Sequence, residues 1–384
     1  MASPATPKSS SSRHYQGVEL LHKKLLVGTR KGLLIMSRNG AANSEWQVES
    51  AHFEAIPVVY AFRDPRTDII WASLDHGHWG GKLHRSRDGG ASWEEVEAPK
   101  YPEGDSVPPD FSVPAKTNYI WLVEPGGVDE RNRLYLGTDP GGLFVSDDGG
   151  DSFQLVDTLW RHPSNTHWFG AGRDHPGTVA IQVDPRDSRH LTIGISVGGV
   201  YVSRDGGESW EARNRGLYAD YLPDPLHEHG HDPHIILASP SNPDVLWQQN
   251  HCGIFRSENG GIQWRDISDK NGGPAGFGFA LAVDDEDERV AWVAPAVSAE
   301  YRVPVDRQLV ICRTEDGGES WQDLRSGLPQ EHCYDLVFRH ALDKNGDTLA
   351  FGTTAGNFYV SDDRGDNWRC LTHNLAVVYS VRFM

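Results

Sequence analysis

The chain has 384 residues, with 41 glycines, 23 prolines and 10% aromatics. Its charged fraction of 23% argues against wholesale disorder, and its net charge of −18 argues against a nucleic-acid groove or an anionic membrane surface as the main partner. No run approaches the roughly eighteen apolar residues of a membrane-spanning helix.

Residues 1–23 are polar and Ser-rich and have no apolar h-region, so a disordered tail is expected there and a secretory signal is not. A single folded domain is expected over 24–384. Cys252, Cys312, Cys333 and Cys370 are scattered, which predicts free thiols and a cytoplasmic location.

The first elements are the short apolar strands KLLVGT and LLIMS, followed by WQVES. From there a fixed order recurs. VVYAFRDP and IIWASL precede the segment Ser86 to Trp93, with WEEVEA after it. LYLGT and LFVS precede Ser146 to Phe153; VAIQVDP, HLTIGIS and VYVS precede Ser203 to Trp210. IILASP, VLWQQN and GIFRS precede Ser257 to Trp264, with WRDIS after it. ALAVDD, VAWVAP and LVICRT precede Thr314 to Trp321, and NFYVS precedes Ser361 to Trp368. The last residues, VVYSVRFM, form a strand without a repeat of their own.

The six marked segments share [ST]-x-[DN]-x-G-x-x-[WF], and a degenerate copy runs from Ser37 to Trp46. The Gly permits positive φ in a tight turn, the Asp or Asn accepts from turn N–H groups, and the aromatic packs on the next strand. These positions therefore read as structural. Four strands per repeat, at intervals of roughly 50 to 60 residues, predict an all-β fold. It is a seven-bladed β-propeller of four-stranded antiparallel blades, with the C-terminal strand completing blade one.

The segments resemble the BNR or Asp-box repeat of bacterial sialidases, xyloglucanases, sortilin-type receptors and photosystem assembly factors. The opening LLVGTRKGLLI and the central LWQQNHCGIFRS are similar to single-domain bacterial BNR proteins labelled glycosyl hydrolase or exo-α-sialidase-like. The resemblance implies a glycosyl-hydrolase-like hydrolase, or a non-catalytic binding or assembly scaffold. A sialidase needs an arginine cluster and a Tyr nucleophile with a carboxylate partner. Arg30, Arg173, Arg302 and Arg307, with Tyr301 and Glu300, match no such spacing, and sialidase propellers have six blades. True sialidase activity is not expected.

In a four-strand meander the Asp boxes mark one face, and the opposite face is expected to hold the site. Its connections are rich in His: Leu159 to His175, Tyr218 to His234, Asp75 to Trp79, and Asn250 to Cys252; the long loop Pro295 to Asp306 adds Glu300, Tyr301 and Arg302. The expected catalytic residues are His175, Asp174, Arg173, Glu300 and Tyr301. Trp79, Trp168, Arg30, Lys116 and His332 are expected to bind substrate. His76, His78, His234, His251, His229 and His231 are candidate ligands for one divalent metal, Zn, Mn or Fe, with Glu228 and Asp232 as ligands or their supports. A metal-free pocket in which His and Arg act directly on an anionic substrate stands beside that reading. The expected partner is a small molecule or saccharide, acted on by a hydrolase or lyase.

Overall fold

The computed structural model describes residues 24–38, 45–109, 111–170 and 172–384. The expected tail 1–23, part of the degenerate first repeat and the side chain of His78 lie outside them. Among the described residues the strands form seven four-stranded antiparallel sheets, each ordered from inner to outer strand. Six blades run in chain order. The seventh pairs the C-terminal Val378–Phe383 with Lys24–Thr29, followed by Gly32–Arg38 and Trp46–His52. The register places Leu25 opposite Phe383 and Val27 opposite Val381. The two chain ends thus close one ring, as the repeat count requires.

Each blade is sandwiched between two others, so its middle strands are buried on both faces. Leu134–Asp139 (LYLGTD) and Leu246–Asn250 (LWQQN) are buried throughout. Outer strands are short; Gln154–Leu155, Glu211–Ala212 and Arg265–Asp266 have two residues each. Tryptophans on second strands tie neighbouring blades. The Trp247 indole N–H donates to Glu288 O at 3.2 Å and that of Trp292 to Arg364 O at 2.9 Å.

The Asp boxes sit at the turns between the third and fourth strands. In blade two, Asp88 Oδ1 accepts from Ser86 Oγ and from the Ser92 N–H, both at 2.8 Å, while Gly90 N–H donates to Ser86 Oγ at 2.8 Å. The bonds from Ser92 hold the Asp88 carboxyl down at about 2. The same network recurs at Asp148, Asp205, Asn259, Asp316 and Asp363. A second reason for glycine is packing. Gly150 has φ 85°, and a Cβ there would lie 2.2 Å from the Trp71 ring of the preceding blade. The box therefore shapes its turn and seats the neighbouring blade.

Val381 is fully buried at the closing seam, whereas Val48 lies on the outer strand of the same blade and is 53% exposed. Val381→Ala should lower unfolding free energy by about 2 kcal/mol, from two lost methyl groups and the cavity they leave. Val48→Ala should change it by less than about 0.5 kcal/mol. Urea denaturation of the two variants checks the difference; equal effects would contradict a closed seam.

Candidate functional site

The inner strands begin on the face opposite the Asp boxes, and several begin with a β-bulge. Pairing slips between Val58 and Tyr60 in blade two, between Ile120 and Leu122 in blade three, between Pro233 and Ile235 in blade five, and between Gly278 and Leu281 in blade six. A bulge re-aims the extra side chain. Here the residues inside those slips include Val59, Trp121, His234 and Phe279, and all four line one cavity of about 390 Å³ at the channel mouth. Tyr119, Arg173, Asp232, His251, Arg302, Phe338, Arg339, His340 and Tyr379 complete most of its wall.

Asp232, His234 and His251 converge within it. Asp232 and His234 are buried and His251 is half-buried, and one ligand atom from each lies within 4.8 Å of the others. His234 opens the inner strand Pro233–Ala238, and His251 sits on the turn after Leu246–Asn250, its N–H donating to Asp232 O at 3.0 Å. Asp232 Oδ2 lies 3.5 Å from His234 Nε2 and 3.3 Å from His251 Nδ1. Asp232 Oδ1 accepts from Ser196 Oγ at 2.7 Å and from Val197 N–H at 3.3 Å, both in blade four. Burial alone would push this carboxyl up; His234, His251 and Ser196 outweigh it and hold it well below the usual range. Burial pushes His234 down despite Asp232, and Arg339 adds to the effect.

His234 Nδ1 lies 2.6 Å from Gly278 O. A carbonyl only accepts, so Nδ1 carries the proton in the neutral ring. Nε2 faces the Asp232 carboxylate at 3.5 Å; it donates to that carboxylate when the ring is protonated, and when the ring is neutral the two form a pair of ligand atoms for a cation.

Next to the trio, Asp139 is buried with Arg173 Nε at 2.6 Å from Oδ2 and His175 Nδ1 at 3.3 Å from Oδ1. Arg173 also lies over the Tyr119 ring at 4.2 Å. Arg173 is thus on the cavity wall with His175 behind it, bridged by a carboxylate. Asp174 is exposed.

The other expected residues lie elsewhere. Glu300 and Tyr301 are exposed on the loop that carries Arg302; Glu300 accepts from Ser298 Oγ at 2.9 Å, and Tyr301 is 70% exposed. Trp79 and Lys116 line a separate shallow depression with Lys82 and Glu95. Trp168 is fully buried, its indole N–H donating to Tyr201 Oη at 2.8 Å; it lies outside this cavity and backs the side pocket of His167 and His229. Arg30 is exposed beside Tyr379, and His332 is exposed with φ 51°. His76 precedes the short turn Gly77–Trp79, near Glu95 and His84 and outside the trio.

The remaining loop histidines form a second group. His229 stacks on His167 at 5.3 Å and meets His227 at 5.7 Å, beside a pocket that includes Phe169 and Leu222. His231 is buried, with Nε2 at 2.7 Å from His227 O. Burial pushes both His229 and His231 down to about 4, so both are neutral near pH 7. Glu228 is exposed and accepts from the Asn214 N–H at 3.2 Å.

Sequence reasoning missed Tyr119, Trp121, Phe279, Phe338, Arg339 and Tyr379. The signal available was positional: each lies within a few residues of the start of an inner strand, on the site face. Among the described residues lining the cavity, Asp232 is the one carboxylate, so the facing carboxylate pair of ordinary glycoside hydrolysis is not built into this wall.

Residues 201–212 match the family model described as BNR/Asp-box repeat. Over 252 residues the chain is 27% identical to the oligoxyloglucan-reducing end-specific xyloglucanase of Emericella nidulans, covering 64% of this chain and 26% of that protein. The chain thus spans about a quarter of the length of that curated relative. Its fold is similar to that of an ancestral GH74 enzyme, with TM-score 0.53 and 17% identity over 81% of this chain and 38% of the other. It is also similar to the periplasmic gluconolactonase PpgL of Pseudomonas aeruginosa, with TM-score 0.56 and 15% identity over 94% and 99%. The chain is a seven-bladed β-propeller built from BNR/Asp-box repeats.

Proposed function

We propose that the protein is a hydrolase or lyase acting on a carbohydrate-like or other polar small molecule in this cavity. In this reading Asp232, His234 and His251 hold one divalent metal, Zn, Mn or Fe. The observation that carries it is the convergence of one Asp232 oxygen with a ring nitrogen each of His234 and His251, all within 4.8 Å of one another, in the wall of an open cavity. The relative's name supports a saccharide as the ligand class. The concave, aromatic-walled shape favours a small molecule over the flat rim of an assembly scaffold.

When bound, such a metal polarises an oxygen of the substrate or lowers the pKa of a coordinated water. The chain's own residues do the rest. Gly278 O fixes the tautomer of His234, and Ser196 with the Val197 N–H fixes the rotamer of Asp232. Trp121, Tyr119 and Tyr379 give the wall apolar surface beside its arginines and histidines, the mixture that suits a sugar ring and its hydroxyls. Asp139 holds Arg173 at the wall, with His175 Nδ1 3.3 Å from its other oxygen.

Protein prepared without a histidine tag should bind one divalent metal per chain, measured by elemental analysis after dialysis. His234→Ala or His251→Ala should weaken that binding by about 100-fold, consistent with loss of one direct ligand. Chelation should abolish turnover in a screen of saccharides and sugar lactones. Stoichiometry near zero, or equal metal content in the variants, contradicts the metal; full turnover by His251→Ala contradicts the site.

A further inference from the structure

Three arginines reach the cavity wall, and they differ in what they are bonded to. Arg173 is neutralised by Asp139 at 2.6 Å. Arg302 gives its Nε–H to Ala299 O at 3.0 Å and forms no ion pair among the described residues. Arg339 forms none either, and its buried Nε has no hydrogen-bond partner. Its guanidinium lies over the Trp121 ring at 4.5 Å and near the Phe279 ring at 5.7 Å. The rings support the flat faces of the guanidinium, and its in-plane N–H groups are the ones left to bond. Asp232, the carboxylate on the wall, attracts Arg339 through space without an ion-pair contact, and its own oxygens are engaged by His234, His251, Ser196 and the Val197 N–H. An underused planar cation, facing two further arginines in a chain of net charge −18, is a poor structural device and a good oxyanion receptor.

We infer that the ligand of this cavity is a sugar-sized molecule bearing a carboxylate, and that Arg339 is the residue that recognises it, with Arg302 supporting it. The inference rests on the proposed reading of the cavity as a ligand site and adds the class of ligand. The volume of about 390 Å³ fits one or two sugar rings, within the usual range for ligand pockets. Trp121 then serves both as the platform that orients Arg339 and as a face of the pocket. A neutral saccharide leaves Arg339 as unpaired as it is now, so the cavity discriminates against it.

The test is calorimetric titration of the full chain with matched pairs: glucuronate and glucose, galacturonate and galactose, mannuronate and mannose. At least one uronate should bind about tenfold or more tightly than its neutral parent, and added salt should narrow the gap. Arg339→Gln should reduce the preference to within about twofold, and Arg339→Lys should restore part of it. No preference in any pair overturns the inference, as does a full preference kept by Arg339→Gln. Should Arg339→Gln fail to fold, the wild-type pairs decide alone. A uronate preference without turnover leaves this inference standing and removes the catalytic reading; turnover of neutral sugars without preference does the reverse.

Discussion

A ring of sheets has no free edge only if its ends meet, and here they meet in one strand pairing. Val378–Phe383 lies against Lys24–Thr29, with Val381 and Val27 buried at the seam. Closure fixes the radius of the channel and hence the distance between inner strands that are remote in sequence. Tyr379 stands on the closing strand itself, Asp232 and His234 open blade five, and Trp121 comes from blade three. None of these could hold a position relative to the others in an open arc.

The two faces divide the labour. On one, Asp, Ser and Gly are spent locally, each box closing its own turn and seating the previous blade. On the other, the bulges at the inner-strand starts break the regular alternation and turn a side chain into the mouth. Blade five presents His234 at that position, blade three Trp121 and blade six Phe279. One structural device, repeated around the ring, therefore delivers different chemistry from each blade. The electrostatics follow the same division. Across an acidic chain, the mouth concentrates guanidinium groups around a carboxylate pinned by imidazoles and by a serine.

The fold was legible because its evidence is periodic: six copies of one turn and a spare strand at the end count the blades without any distance. The site was legible in part. His234 and Arg173 stand out by residue type in long loops, His251 by its place on a turn of the same face, and Asp232 as a neighbour of His231 and His234. Their association was not legible, since it depends on the bulge at His234 and on a turn of blade four reaching Asp232. Trp168 is the opposite case, an expected wall residue that lies outside the central cavity. An aromatic in a long connection reads the same whether it faces ligand or core, and here the Tyr201 hydroxyl draws it inward. Arg339 was passed over because a single arginine beside an apolar strand carries no pattern; its lack of a partner is a three-dimensional fact. His229 and His231 group with His234 and His251 by composition, but the fold sets His229 at a side pocket with His167 and His227 and buries His231.

The central claim is that Asp232, His234 and His251 form a metal centre at the channel mouth. Anomalous X-ray scattering from crystals equilibrated with zinc or manganese tests it most directly. The account predicts one strong peak bonded to Asp232 Oδ, His234 Nε2 and His251. No peak there, or a peak only among His167, His227 and His229, would contradict it.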